Sequence, residues 1–187
     1  MEDVRALPGR PSDARLDVLV VGGGIGGLAA GIALRRVGLD VLVLERTSEL
    51  EVVGAGLGLA ANAVQALERL GVADAVRARG RRTERLVARK PSGTTIIDLP
   101  LAGREMLGIH RADLQEVLVE ALGAEALRLG AGCSGFREDG DGVTLMLDGQ
   151  EVRGDLLVAA DGVRSQSRAY CSETVRPATP ATQGGAQ

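Results

Sequence analysis

A glycine-rich turn between two short apolar segments is the feature that most limits how this chain can fold. Residues 16–21 are almost all Leu or Val, as expected for a strand buried on both faces of a parallel sheet. The turn that follows fits the pattern G-x-G-x-x-G at Gly22, Gly24 and Gly27. Residues 25–37 then have helical spacing, and residues 40–44 are a second apolar segment. Strand, turn, helix and strand together predict a right-handed parallel βαβ crossover.

Each glycine of this turn has a physical role in holding a phosphate. Gly22 permits the tight turn, Gly24 lets the backbone approach a pyrophosphate, and Gly27 lets the helix pack closely on the strand. The helix N-terminus adds free N–H groups and roughly half a positive charge. Glu45 follows the second strand, about 20 residues on, where a carboxylate accepts hydrogen bonds from ribose hydroxyls. The pattern predicts a site for a dinucleotide that contains ADP.

The identity of that dinucleotide stays open at this point. FAD and NAD both carry ADP, so the βαβ unit cannot separate them. The negative charge of Glu45 disfavours a 2′-phosphate, which argues against NADP in this site. A glycine-rich packing turn followed by an unrelated surface glutamate is the alternative that involves no ligand.

The rest of the chain predicts one α/β domain with a parallel sheet and an antiparallel insertion. We expect a flexible leader at 1–14, the domain at 15–171, and an unpacked tail rich in Pro, Thr, Ala and Gly at 172–187. After the βαβ unit we expect a glycine-rich loop at 53–61 and helices at 62–70, 73–79, 112–122 and from about 165, with Asn62 as the cap of the first. The predicted strands are an antiparallel pair at 85–89 and 94–99, a parallel strand at 126–129, a hairpin of 135–138 with 143–147, and strands at 150–153 and 155–160.

Composition argues against several classes of function. The net charge is −3 and the pI is near 5.3, whereas proteins that bind nucleic acids usually present a basic face. The apolar stretch 16–34 contains Asp17 and the glycine turn, so we do not interpret it as a membrane span or signal peptide. Cys133 and Cys171 are far apart and His110 is the only histidine, which favours reduced thiols in a cytoplasmic protein and no zinc site.

Four motifs make the sequence resemble the FAD-dependent monooxygenases of the para-hydroxybenzoate and salicylate hydroxylase type. They occur in the same order and spacing over residues 16–168. The motifs are the glycine turn with Glu45-Arg46, the stretch Gly54-Ala-Gly-Leu-Gly-Leu with the helix from Asn62, the segment His110-Arg-Ala-Asp-Leu-Gln, and D-G-x-x-S-x-x-R at Asp161, Gly162, Ser165 and Arg168. The resemblance implies a Rossmann-like FAD-binding domain.

The resemblance also implies roles for individual residues. Arg111 would reach the pyrophosphate or ribityl chain of FAD, and Gln115 would bond the ribityl or ribose hydroxyls or pack as a polar residue at the edge of the core. Asp161 and Gly162 would belong to a motif linked to FAD and to reduced nicotinamide. Arg46 would lie near the adenine ribose. Ser165 and Arg168 would hold the loop, and His110 would be structural.

The implied reaction is hydroxylation of an aromatic or similar small molecule. NAD(P)H would reduce FAD, which would react with oxygen to give a C4a-hydroperoxide that delivers one oxygen atom. Some relatives have a catalytic histidine in the second glycine loop, where this chain has Gly58, so no catalytic residue is carried over. A reductase or epoxidase of the same superfamily, a non-catalytic nucleotide-binding fragment and an NAD-dependent dehydrogenase are the alternatives.

The resemblance also predicts a C-terminally truncated domain. Relatives of this type are roughly twice as long, and their second half carries a further Gly-Asp motif and most of the substrate cavity. We therefore expect weak FAD binding at best and no hydroxylation by these residues alone. A shifted reading frame over 178–182 can encode Tyr-Thr-Gly-Tyr, similar to a strand of the relatives, so a frameshift and an ordinary truncation are both open explanations of the tail.

Overall fold

The computed structural model describes residues 15–50, 55–147, 149–163, 165 and 167. The helices are α1 (Ile25–Arg36), α2 (Ala61–Arg69), α3 (Ala73–Arg79) and α4 (Arg111–Leu122), with a 3-10 turn at Ala124–Ala126. The strands are β1 (Leu16–Val21), β2 (Val41–Leu44), β3 (Gly56–Ala60), β4 (Arg81–Arg82), β5 (Arg85–Arg89), β6 (Thr95–Pro100), β7 (Met106–His110), β8 (Leu127–Arg128), β9 (Cys133–Asp139), β10 (Gly142–Leu147) and β11 (Gln150–Ala159).

The main sheet has six strands in the order β8-β2-β1-β11-β10-β9. The first four are parallel, and the β9–β10 hairpin adds two antiparallel strands at one edge. In the centre, Val20 of β1 is in register with Val43 of β2 and Val158 of β11. This arrangement confirms the predicted α/β fold with a parallel sheet.

The central strands are apolar on both faces because each face of the sheet is covered. On one face, α1 and α4 bury Leu28 and Leu118 against Val20. On the other face, Leu19 of β1 packs with Leu145 of β10 in a second cluster. Burying one such side chain contributes about 1.5–3 kcal/mol, so the two clusters dominate the stability of the domain.

The antiparallel insertion between β2 and α4 consists of two small sheets. One has the order β3-β7-β4, and the other is the hairpin of β5 with β6. The prediction of a loop over 53–61 is wrong for Gly56–Ala60, which pairs with Met106–His110 as an antiparallel ladder. Glycine weakens a strand locally, but here the partner strand β7, which the sequence did not reveal, supplies the hydrogen bonds.

Two other expectations need correction. The strands predicted at 150–153 and 155–160 form one continuous strand, which pairs antiparallel with β10 in its first half and parallel with β1 in its second half. Gly154 lies where the two halves meet, and a Cβ there would come within 2.9 Å of Leu19 Cγ. Asn62 does not cap α2, since the cap residue is Ala60 and has no side-chain cap bond.

The expectations for 1–14 and 172–187 fall outside the described residues, as does nearly all of the helix expected from about 165. Within the described part of the chain, each helix is too short or too polar to cross a membrane.

Candidate cofactor site

The four parallel strands end at the same edge of the sheet, and the segments that follow them enclose a cavity of about 320 Å³. In open α/β sheets, ligands bind in the crevice at these carboxyl ends. The lining residues are Val21, Gly22, Gly24, Leu44, Glu45, Arg46, Ala131, Gly132, Cys133, Phe136, Ala160, Asp161, Gly162 and Ser167. Six of the nine residues predicted to bind cofactor therefore lie together on one cavity: Gly22, Gly24, Glu45, Arg46, Asp161 and Gly162.

The contacts of the glycine turn distinguish its three motif glycines. Gly22 has a φ of +113°, and a Cβ there would lie 2.4 Å from the Ala160 carbonyl oxygen. A Cβ on Gly27 would lie 1.8 Å from the Gly22 oxygen, so α1 packs on the turn only without a side chain at that position. A Cβ on Gly24 would meet no atom within 4 Å. Protein packing therefore explains two of the glycines, whereas Gly24 borders open space.

The N-terminus of α1, which is the positive end of the helix dipole, lies at the open space beside Gly24. Its first α-helical hydrogen bond runs from the Leu28 N–H to the Gly24 oxygen, so the earlier amides have no acceptor within the helix. The first turn carries no acidic side chain, and the cap residue makes no side-chain bond. The amides and the helix dipole are therefore available to an anion such as a phosphate.

Glu45 is held in place by the turn and by its own loop. Its Oε2 accepts a hydrogen bond from the Gly23 N–H at 2.7 Å. Its Oε1 accepts bonds from the Thr47 N–H at 3.0 Å and from the Thr47 hydroxyl at 3.2 Å. The half-buried carboxylate thus lines the cavity in a fixed position beside the turn.

Asp161 anchors the loop that follows β11. Its Oδ1 accepts a bond from the Ser165 hydroxyl at 2.6 Å, and its Oδ2 accepts one from the Ser167 N–H at 3.0 Å. Burial raises the pKa of this carboxyl, but the hydrogen bonds from Ser165 and Ser167 lower it by more, so its pKa lies below the ordinary value. Gly162 has a φ of +80°, which favours glycine. Arg168 lies outside the described residues.

Arg111 is the first residue of α4 and Gln115 lies one turn further along it, and neither lines the cavity. The Arg111 Nη1 donates to the Gln115 Oε1 at 3.2 Å, and the Gln115 Nε2 donates to the Gly23 oxygen at 2.8 Å. The pair therefore contacts the glycine turn through the backbone of Gly23. His110 is the exposed residue that precedes α4.

Sequence reasoning missed the wall formed by the segment after β8. Ala131, Cys133 and Phe136 line the cavity there, and Phe136 is the only phenylalanine of the chain. The Cys133 thiol donates to the Gly135 oxygen, and burial raises its pKa. The sequence offered only a partial signal: the parallel strand expected at 126–129 had to end at the same edge of the sheet as Glu45, but no motif marks the residues that follow it.

These features fit the ADP part of a dinucleotide. The half-buried Phe136 offers an apolar surface for a flat base, Glu45 offers acceptors for ribose hydroxyls, and the α1 N-terminus offers donors for phosphates. Among the residues that the structure describes, no group of His, Cys, Asp and Glu is arranged to hold a metal ion. The fold and the cavity define a dinucleotide-binding α/β domain.

Comparison with known proteins assigns the family. Residues 15–184 match the family described as FAD binding domain. The chain belongs to this family, whose matched relatives include FAD-dependent monooxygenases and hydroxylases.

The relatives have named activities. Aurachin C monooxygenase/isomerase of Stigmatella aurantiaca is 45% identical over 87% of this chain and 44% of that protein. The 3-hydroxybenzoate 6-hydroxylase 1 of Aquipseudomonas alcaligenes is 39% identical over 81% of this chain and 42% of that protein. The structure of Klebsiella pneumoniae HpxO complexed with FAD and uric acid matches with a TM-score of 0.75 and 31% identity, covering 83% of this chain and 41% of that one. The chain thus spans less than half the length of these relatives.

Proposed function

We propose that the protein is the FAD-binding part of an NAD(P)H-dependent flavoprotein monooxygenase that hydroxylates an aromatic or similar small molecule. The observation that carries this proposal is the cavity in which the glycine turn, Glu45 and Asp161 meet at the carboxyl ends of four parallel strands. Solved relatives of similar fold contain FAD, and matched relatives are named for 3-hydroxybenzoate and urate.

The size of the cavity favours the ADP half of the cofactor. About 320 Å³ is at the small end of the range for ligand sites, which runs from about 300 to 1,000 Å³. In our proposal, the adenine lies against Phe136, the ribose bonds Glu45 near Arg46, and the pyrophosphate lies at Gly24 and the α1 N-terminus. Asp161 and Gly162 form the side of the site reached from β11.

Two of the predicted residues outside the cavity, Arg111 and Gln115, reach the glycine turn from α4. In our proposal the Arg111 guanidinium, which is linked to Gly23 through Gln115, bonds two phosphate or ribityl oxygens. The bound flavin would supply the redox and oxygen-transfer chemistry, with NAD(P)H as the hydride donor. The chain's own residues bind and orient the cofactor, and we assign no catalytic acid or base among them.

We further propose that these 187 residues alone bind FAD weakly and do not hydroxylate. The aligned part of this chain covers 44% of the aurachin C monooxygenase/isomerase and 42% of the 3-hydroxybenzoate 6-hydroxylase, and the cavity suits only part of FAD. Each tenfold loss of affinity corresponds to about 1.4 kcal/mol of missing contact. A small-molecule substrate, no nucleic-acid or membrane partner and a cytoplasmic location belong to the same proposal, which leaves the oligomeric state open.

Flavin fluorescence anisotropy, excited with visible light that the chain itself does not absorb, tests the proposal directly. We expect FAD anisotropy to rise with added chain, ADP to compete, and Glu45→Gln to weaken binding several-fold because one oxygen acceptor is lost. Gln65→Met, an exposed change on α2, is the control and should bind like wild type. If the anisotropy stayed unchanged up to millimolar chain, FAD binding would be refuted. If the chain with FAD formed hydroxylated product on addition of NADH, only the proposed inactivity would be refuted.

A further inference from the structure

We propose that Gln115 is a positioning residue that fixes the glycine turn and orients Arg111 before the cofactor binds, and that it is not itself a ligand of the ribityl chain. This inference rests on the proposed function, because the turn is held in place for the phosphates of a dinucleotide. It departs from the ligand role that the family resemblance implies for this residue.

The first observation is that both backbone polar groups of Gly23 are bound by side chains from distant parts of the chain. The Gly23 N–H donates to the Glu45 Oε2 at 2.7 Å, and the Gly23 oxygen accepts from the Gln115 Nε2 at 2.8 Å. Gly23 is itself buried, and a Cβ there would lie 2.7 Å from the Glu45 Cβ. The peptide in the middle of the turn is therefore held from two sides.

The second observation is that both ends of the Gln115 amide are already used. Its exposed fraction is 6%, its Nε2 donates to Gly23, and its Oε1 accepts from the Arg111 Nη1 at 3.2 Å. The orientation of the amide is fixed by its partners, since a backbone oxygen only accepts and a guanidinium only donates. Turning the amide toward a ribityl hydroxyl would leave the buried Gly23 oxygen without this donor, which is unfavourable.

The third observation is that α4 is a rigid support. Leu114, Val117 and Leu118, which flank Gln115 on the helix, are each no more than 2% exposed and belong to the core that contains α1. A side chain on such a helix therefore holds the segment to which it hydrogen-bonds in a fixed position. A turn containing Gly22, Gly23 and Gly24 has many accessible conformations, so holding one of them lowers the ordering cost when phosphates bind.

Comparing ADP with FAD separates positioning from direct contact. ADP has no ribityl chain, so loss of a ribityl ligand leaves ADP affinity unchanged, whereas a disordered turn weakens both ligands. We expect Gln115→Met to weaken ADP about tenfold, measured by calorimetry, and FAD by at least the same factor, measured by anisotropy, because Arg111 also loses its acceptor. Gln115→Glu should behave alike, since it keeps an acceptor for Arg111 but loses the donor to Gly23. The exposed Gln65→Met should bind both ligands like wild type.

A measurement on the ligand-free wild-type chain tests the inference without any variant. By NMR, the side-chain amide protons of Gln115 should exchange with solvent at least tenfold more slowly than those of the exposed Gln65. In Gln115→Met, the backbone amides of Gly23 and Gly24 should exchange faster while those of β1 stay protected. Exchange of the Gln115 amide as fast as that of Gln65, or an FAD-specific loss of affinity, would overturn the inference. If wild type bound neither nucleotide, the proposed function would fail, and the exchange rates would still decide the role of Gln115.

Discussion

Replacing Gly27 by alanine tests the packing of α1 against the glycine turn. A methyl group there would lie 1.8 Å from the Gly22 oxygen, and relieving the overlap to 3.0 Å requires the helix and turn to separate by about 1.2 Å. Overpacking of this kind costs about 1–3 kcal/mol or more. Alanine recovers up to about 1 kcal/mol of helix propensity, so we expect a net loss of about 0–2 kcal/mol.

Gly26→Ala is the matched control, because it makes the same chemical change one residue earlier in α1. Gly26 is exposed, and a Cβ there would meet no atom within 4 Å, so the variant should gain up to about 1 kcal/mol. Thermal unfolding followed by circular dichroism should separate the two variants by several degrees, at about 2–4 °C per kcal/mol for a domain of this size. Equal melting temperatures would show that Gly27 is not needed for close packing.

Three further variants test other parts of the site. Gly24→Ala should leave the melting temperature within about 2 °C of wild type yet weaken FAD binding by at least tenfold, because the methyl group enters open space at the expected pyrophosphate position. An unchanged FAD affinity, measured by anisotropy, would argue against that position. Thr47→Val removes the hydroxyl that bonds Glu45 and should weaken ADP about two- to fivefold by calorimetry, whereas an unchanged or larger affinity would show that this bond does not hold the carboxylate. Above the pKa of about 3.9 that Asp161 has in the unfolded chain, wild type should be more stable to urea than Asp161→Asn. This difference in stability should disappear as the pH falls through the lower pKa of Asp161 in the folded chain, and a difference that persists at pH 2 would contradict this reasoning.

The sheet that forms the site was predictable from the sequence because its signals are local. The turn at Gly22, the apolar strands on either side and the carboxylate at Glu45 all lie within 30 residues of each other. Asp161, more than 100 residues away, was predicted only from the family resemblance, and the parallel pairing of β1 with β11 brings it to the same cavity. Predictions failed where the partner strand was not visible, as for Gly56–Ala60, whose glycines resemble a loop until β7 pairs with them.

Side-chain partners were less predictable, because they depend on packing between distant elements. The sequence placed Gln115 one helical turn after Arg111, but not its bond to a carbonyl 92 residues away. The cavity wall at Cys133 and Phe136 was also missed, since no motif marks it. In both cases, the residue types fit several roles, and only the three-dimensional arrangement selects one.

The central claim is that the cavity at the carboxyl ends of the parallel strands holds the ADP half of FAD. Titrating ADP into isotope-labelled chain and following backbone amides by NMR tests it most directly. We predict saturable shifts at Gly24, Glu45 and Cys133, with no change in the β5–β6 hairpin. Absence of saturable shifts, or shifts confined to residues away from this cavity, would contradict the account.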